Sequence, residues 1–194
     1  MLLPGKKSKL RVKKEIIDFL KSTCGLPSNN LDKYPCGTNH RNCLVLATCH
    51  NNVPRATTLE FFIEGLTIYI FAEPSTKIAN IKRNPIVSAA IYQQPLDHYK
   101  LQKSLQIFGK AELINMKNNP RTFKIKAKKW NLYVCAEKLG KIERKGLTAR
   151  QFTEKVEQAL AAFYFIKIVP HRIIVREYYP DFSMPKYEWS ATPH

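Results

Sequence analysis

The sequence predicts an α+β fold in which about seven mainly antiparallel strands close, wholly or in part, into a barrel with flanking helices. Three observations predict it. Short runs rich in β-branched and aromatic residues recur between Cys43 and Tyr178. Tight turns join most of them, and helical spacing is confined to the start of the chain, one short stretch after Pro74 and two stretches after Pro120. No internal repeat and no second domain are visible in the 194 residues, which suffice for a single domain without disulfide or metal staples.

Each element has a local reason. Val12, Ile16, Ile17, Phe19 and Leu20 recur at close to helical spacing, and Cys24-Gly25-Leu26-Pro27 ends that helix. The polar stretch Ser28 to Asn42 reads as a loop, so residues 1–42 form a tail, short helix and loop ahead of a barrel domain at 43–194. Cys43 to Cys49, Arg55 to Ile63 and Thr67 to Ala72 then make an antiparallel meander, with turns at His50-Asn51-Asn52 and Glu64-Gly65. Ser75 is placed to cap a two-turn helix that stops at Asn84-Pro85. Ile86 to Tyr92 and Ser104 to Leu113 are further strands around a polar hairpin loop, Gln93 to Lys103. Pro120 opens a basic helix expected to run to about Cys135, and Thr148-Ala149-Arg150-Gln151 matches a capping box before a helix ending near Ala162. Phe163 to Val169 and Arg172 to Tyr178 complete the strands.

The net charge of +17 is unevenly placed. Residues 1–14 carry six Lys or Arg and no acid, while residues 117–150 carry eleven against Glu137 and Glu143. The strand-rich remainder is nearly neutral, which suits a solvated helix surface and an unstructured start at residues 1–9 as well as it suits polyanions. Recognition motifs for nucleic acid are absent, so such binding is not expected as the main function. The longest apolar runs fall short of a membrane span and no signal-type segment follows the first lysines, which predicts a cytoplasmic protein without a membrane partner. Five cysteines, none in a Cys-x-x-Cys pair, argue against disulfides and zinc. Cys43 and Cys49 share a strand face with Val45 and Ala47, and buried thiols are expected there.

Glycine-rich dinucleotide and phosphate loops, nucleophile elbows and paired metal histidines are all missing. The five histidines are scattered, so no metal site is expected. Local structure and chemistry converge only at Pro74 to Arg83. There a strand hands over to a helix whose first turn offers unpaired N–H groups, the hydroxyls of Ser75 and Thr76 and the ammonium of Lys77. These groups suit a phosphate, and they equally suit an ordinary capped helix.

The order of three blocks adds to this reading. The strand-turn-strand "LATCHNNVPRAT", the "STKIANIKRNPIVSAAI" block and the "IFGKAEL" strand occur at the spacing of the FMN-binding split-barrel family that includes pyridoxamine 5'-phosphate oxidase, and the chain resembles that family from about Cys43 to Tyr178. The resemblance implies a split β-barrel that holds FMN at a homodimer interface. It places Arg55, Ala56, Thr57 and Thr58 beside the isoalloxazine ring and ribityl chain, Ser75, Thr76 and Lys77 at the phosphate, and Phe71 and Ala72 at the border of the same pocket. A group reaching the flavin from the partner subunit is implied on the later strand, with Ser104 and Gln106 both open as its match. The ending Tyr187 to His194 lacks the arginine-rich segment that grips the substrate phosphate in vitamin B6 oxidases, so that activity is not expected. The expectation is an FMN-dependent oxidoreductase whose catalytic residues, substrate and electron donor stay unassigned. The alternatives are a flavin- or haem-carrying module without turnover and a basic barrel that binds nucleic acid.

Overall fold

The structure is a computed structural model that describes residues 7–24, 26–27, 38–39, 43–93, 101–139 and 142–191. Most of the loop predicted over 28–42, the hairpin loop at 94–100, and residues 1–6 of the tail lie outside the described residues. The elements in chain order are α1 (Lys9–Thr23), β1 (Leu26–Pro27), β2 (Thr38–Asn39), β3 (Cys43–His50), β4 (Val53–Glu60), β5 (Phe62–Glu64), β6 (Thr67–Ala72) and α2 (Thr76–Arg83). They continue with β7 (Ile86–Gln93), β8 (Gln102–Ile114), α3 (Pro120–Lys129), α4 (Leu132–Leu139), α5 (Ala149–Leu160), β9 (Tyr164–Tyr178) and β10 (Lys186–Ser190).

Eight strands form one antiparallel sheet in the order β4-β3-β7-β8-β9-β6-β5, with β10 added to β9, and β1 pairs separately with β2. The sheet curls around an aliphatic interior of Leu44, Leu46, Ile70, Ile91, Leu105, Ile107, Ile166 and Ile173. This is the expected split barrel, with one strand more in the sheet than the sequence suggested. The two-residue turn between β3 and β4 places Asn51 and Asn52 at φ of 51° and 60°, the left-handed pair that a tight hairpin demands and that asparagine tolerates.

The two final strands predicted from sequence are one. His171 is an extra residue in β9: Gly109 of β8 faces Pro170, while the preceding Phe108 faces Arg172. This bulge switches the side-chain phase, so Ile166 and Ile168 before it and Ile173 and Val175 after it all enter the same interior. Gly109 makes it possible, since a Cβ there would sit 2.7 Å from the Val169 carbonyl oxygen.

A second, aromatic core lies on the other side of β6 and β9, under α3, α4 and α5. Trp130 stacks on Phe62 with centroids 4.8 Å apart, and Phe123 meets Phe165 at 5.1 Å. Turning Trp130 into this core breaks the predicted continuous basic helix, because Asn131 takes a φ of 55° and α4 starts afresh at Leu132. The capping box of α5 forms as predicted, between Thr148 and Gln151.

Two expectations are corrected. The buried phase of β3 is Leu44, Leu46 and Thr48, whereas Cys43 and Val45 are exposed and Cys49 is half-buried. Both phases of this strand are apolar, and the larger leucines gain more from burial. The expectation of an unstructured start over residues 1–9 also fails for Lys7, Ser8 and Lys9. Ser8 caps α1 by accepting from the Arg11 amide, and Lys7 pairs with Glu15 at 2.7 Å and Glu177 at 3.4 Å while its ammonium stands 3.9 Å from the Tyr187 ring centroid.

Glu177 closes one end of the barrel with only 2% of its side chain exposed. Burial alone would raise its carboxyl, but the hydrogen bond and charge of Lys103, the charge of Lys7 and the Tyr179 hydroxyl overcome this and hold it below the ordinary 4.5. A depressed carboxyl stabilises the fold above its unfolded value, and that contribution disappears as pH falls through the folded one. Chemical denaturation of wild type and Glu177→Gln across pH should therefore show their stability gap shrinking steadily below pH 4.5; a gap independent of pH would contradict the ion-pair assignment. At the bulge, Gly109→Ala should cost about 1–3 kcal/mol, the usual penalty for forcing atoms into a packed site. An unchanged denaturation midpoint would show that β8 and β9 can separate without loss.

Candidate functional site

Pairing of β3 with β4 sets which side each predicted residue faces. Directly opposed residues share a face. Arg55 stands opposite Thr48 and Thr57 opposite Leu46, on the barrel side, whereas Ala56 opposite Ala47 and Thr58 opposite Val45 turn outward. The four consecutive residues thus divide two and two between the faces. Arg55 is exposed and Thr57 half-buried, and the Thr57 hydroxyl oxygen is buried with no hydrogen-bond partner among the described residues.

Helix α2 lies against this region and is fastened by polar contacts. Ile78 and Ile81 enter the barrel core, Asn80 donates to the Thr48 hydroxyl at 3.2 Å, and Asn84 donates to the Cys49 carbonyl at 3.1 Å. Lys77 precedes Asn80 by three residues and so shares its helix face. Since Thr48 is also the cross-strand neighbour of Arg55, the chain of contacts Lys77, Asn80, Thr48, Arg55 joins the helix start to β4.

Ser75 occupies the cap position in extended backbone, yet its hydroxyl makes no capping bond. It accepts instead from the Lys77 ammonium at 2.9 Å. Lys77 is 7% exposed and has no carboxylate partner among the described residues. A buried ammonium answered only by a hydroxyl is costly, several kcal/mol without a counter-charge. The amides of Thr76 and Lys77 start the helix and have no intrahelical acceptor, because the first ladder bonds run from Ile78 and Ala79 to the Ser75 carbonyl. Thr76 itself is exposed beside them. These groups fit a phosphate, and the orphaned Thr57 hydroxyl fits a polar neighbour of it along the wall.

The remaining candidates lie elsewhere. Ala72 is buried in the aliphatic core, whereas Phe71 points across β6 into the aromatic core and stacks on Phe163 at 4.8 Å. Ser104 and Gln106 stand on the outward face of β8, opposite Tyr92 and Ala90. Ser104 lies 3.3 Å from the Tyr178 hydroxyl, and Gln106 is exposed. Within one chain the structure gathers Arg55, Thr57, Ser75, Thr76 and Lys77, with Ala72 in the strand that leads to them. It sets Ser104 and Gln106 on the opposite face, together with Ala56 and Thr58. Thr48 and Asn80 were missed in the sequence; Asn80 was findable from its spacing after Lys77, while Thr48 was hidden by the wrong phase for β3.

Among the described residues there is no group of three or more metal-ligating side chains, and no helix is long and apolar enough to cross a membrane. The pyridoxamine 5'-phosphate oxidase family matches residues 32–173, so the chain belongs to that family, whose fold is a flavin-binding split barrel. No curated relative matches the sequence. Among solved structures, the chain resembles PhzG from Burkholderia lata 383 in complex with tetrahydrophenazine-1-carboxylic acid, with a TM-score of 0.56, 12% identity and coverage of 99% of this chain and 93% of that one. A conserved hypothetical protein from Mycobacterium tuberculosis matches with a TM-score of 0.50, 18% identity and coverage of 93% and 88%. An FAD-binding protein from Mesorhizobium loti matches with a TM-score of 0.47, 17% identity and coverage of 70% and 84%.

The orphaned hydroxyl has a testable cost. Thr57→Val keeps the shape and removes a buried group that forms no hydrogen bond here, so flavin-free protein should gain up to about 1 kcal/mol or hold level in denaturant. A loss of stability would mean that the hydroxyl has a partner within the fold.

Proposed function

We propose that the protein is an FMN-dependent oxidoreductase that works as a cytoplasmic homodimer. The observation that carries this reading is Lys77, an ammonium buried without a carboxylate partner among the described residues, bonded to Ser75 at the start of α2. Lys77, Ser75, Thr76 and the leading amides of the helix would hold the FMN phosphate, with Arg55 as a second cation and Thr57 donating along the ribityl chain. The bound flavin would supply hydride or electron transfer, for which the protein need provide no acid, base or nucleophile of its own. The chain's part is orientation: the polar seam from Lys77 through Asn80 to Thr48 fixes the phosphate end relative to β4, and the barrel wall excludes water from one side.

One feature of the sheet supports a dimer. The outward face of the sheet carries Val45, Ala56, Ala90 and Tyr92, all exposed, next to Ser104 and Gln106. Such an apolar sheet face is suited to pairing with a second copy, and twofold pairing is the commonest assembly. Ser104 and Gln106 of one copy would then face the flavin held by the other. The thiol state of Cys24, Cys43, Cys49 and Cys135 is in keeping with a reducing compartment.

The test is a flavin titration. Hydrogen bonds to charged groups contribute about 1.5–3 kcal/mol, so Lys77→Met should weaken FMN about ten- to a hundredfold and leave riboflavin almost unaffected. Lys82→Met, an exposed residue over the Tyr164 ring on the same helix, should do little. Equal losses from the two substitutions, or an equal loss for riboflavin, would place the phosphate elsewhere. Bound flavin that nicotinamide dinucleotides cannot reduce would replace turnover with a carrier role.

A further inference from the structure

The helices between β8 and β9 border an open pocket of about 430 Å³, within the roughly 300–1,000 Å³ of small-molecule sites. Asn131, whose left-handed backbone separates α3 from α4, stands in its wall together with the first turns of α5. Val134 and Leu147 and the rings of Tyr133 and Phe152 line the cavity, and Lys128 and Arg144 stand among them. Among the described residues no carboxylate lines it.

The nearby acids are already engaged in ways that shape the cavity. Glu137 accepts from both Nε and a terminal nitrogen of Arg144, at 2.9 and 3.0 Å, and the guanidinium carbon stands 4.4 Å from the Phe152 ring centroid. Glu157 accepts from the Tyr133 hydroxyl at 3.0 Å and from Lys124 at 2.6 Å, which fixes the second ring. Lys128 is exposed and has no ion pair among the described residues. A helical cap whose only task was to cover the aromatic core would be expected to fill such a volume with side chains. Here two half-buried rings, each held in place by an ion-pair network, border open space, with a cation left over.

We propose that this cavity is a binding site for a planar aromatic anion of one or two fused rings. The rings would pack against Tyr133 and Phe152, and the anionic group would meet Lys128 and the free edge of Arg144. The apolar lining favours a ring over a sugar or a flexible chain, and the lack of a lining carboxylate favours negative charge. The site is independent of the flavin reading, since these helices cover the aromatic core on the far side of β6 from α2.

Naphthoate and its neutral counterpart naphthamide, titrated into the whole chain with excess FMN present, test the proposal by calorimetry and by amide chemical shifts. Naphthoate should bind at one site, shifting the amides of Asn131 and of residues 147–153, and should bind more tightly than naphthamide. Lys128→Met should weaken naphthoate about tenfold and leave naphthamide unchanged. Thr153→Trp places a large ring at an exposed rim position, where folding should be undisturbed, and should abolish both. No binding, equal affinity for the two probes, or binding that survives Thr153→Trp would overturn the proposal.

Discussion

The bulge at His171 is the constraint on which the rest of the barrel depends. Strand β9 pairs with β8, β6 and β10, so it carries more of the sheet than any other strand. Its sequence places large aliphatics at even positions before the bulge and odd positions after it. A strand with strict alternation would send one half of that set outward. One extra residue reconciles the two halves, and the His171 carbonyl is satisfied by the Ala191 amide. The arrangement asks for close approach on the partner strand, which only Gly109 permits, and it tolerates Pro170 because a bulge relaxes the ladder.

With the phase fixed, β6 and the start of β9 around Phe165 are covered on both faces. Aliphatic side chains fill the barrel, and Tyr69, Phe71 and Phe165 fill the layer beneath the helices. This is why Ala72 and Phe71, adjacent in sequence, belong to different cores. It also leaves β4 as an edge strand whose barrel side is only partly covered, by α2 and its polar seam. A site at that seam can lose water from one side and remain open on the other. The outward faces of β3, β7 and β8 receive no layer from the described residues, so Val45, Ala90, Tyr92 and Gln106 stay exposed there.

Much of this was legible in the sequence for local reasons. The Asn-Asn hairpin, the helix start at Ser75, the proline at the start of α3 and the Thr148 capping box are each written in a few contiguous residues, and each formed, although Ser75 holds the cap position without a side-chain capping bond. Failures occurred where tertiary packing chose between two locally acceptable answers. Strand β3 is apolar in both phases, and only contact with Ile91 and Leu105 across the barrel selects Leu44 and Leu46. Pro170-His171 looks like a break until Gly109 is seen opposite. The basic helix gave no sign of ending at Trp130, because the aromatic core that captures the indole is assembled from distant strands. For the candidate site, the helix start was readable from its own residues, while Thr48 and the division of Arg55, Ala56, Thr57 and Thr58 between two faces required the β3–β4 register.

The charge of the chain shows why position outweighs total. Lys124, Lys126, Lys129 and Arg150 belong to the helices and Arg144 to the segment between α4 and α5, and each is paired with a carboxylate: Glu157, Glu64, Glu64 again, Glu154 and Glu137 respectively. Such partly exposed pairs contribute at most about 1 kcal/mol each and project little field beyond a Debye length of roughly 10 Å. Five of the eleven cations between residues 117 and 150 are therefore answered locally, although the net excess of +17 stays with the chain. Lys77 is the opposite case: one cation in a nearly neutral barrel, desolvated, bonded to a hydroxyl and held by a helix whose polar contacts point the same way. Desolvation strengthens its pull on an anion and makes the lack of a counter-charge among the described residues expensive, so a single buried lysine says more about ligand chemistry than the surface cations around the helices.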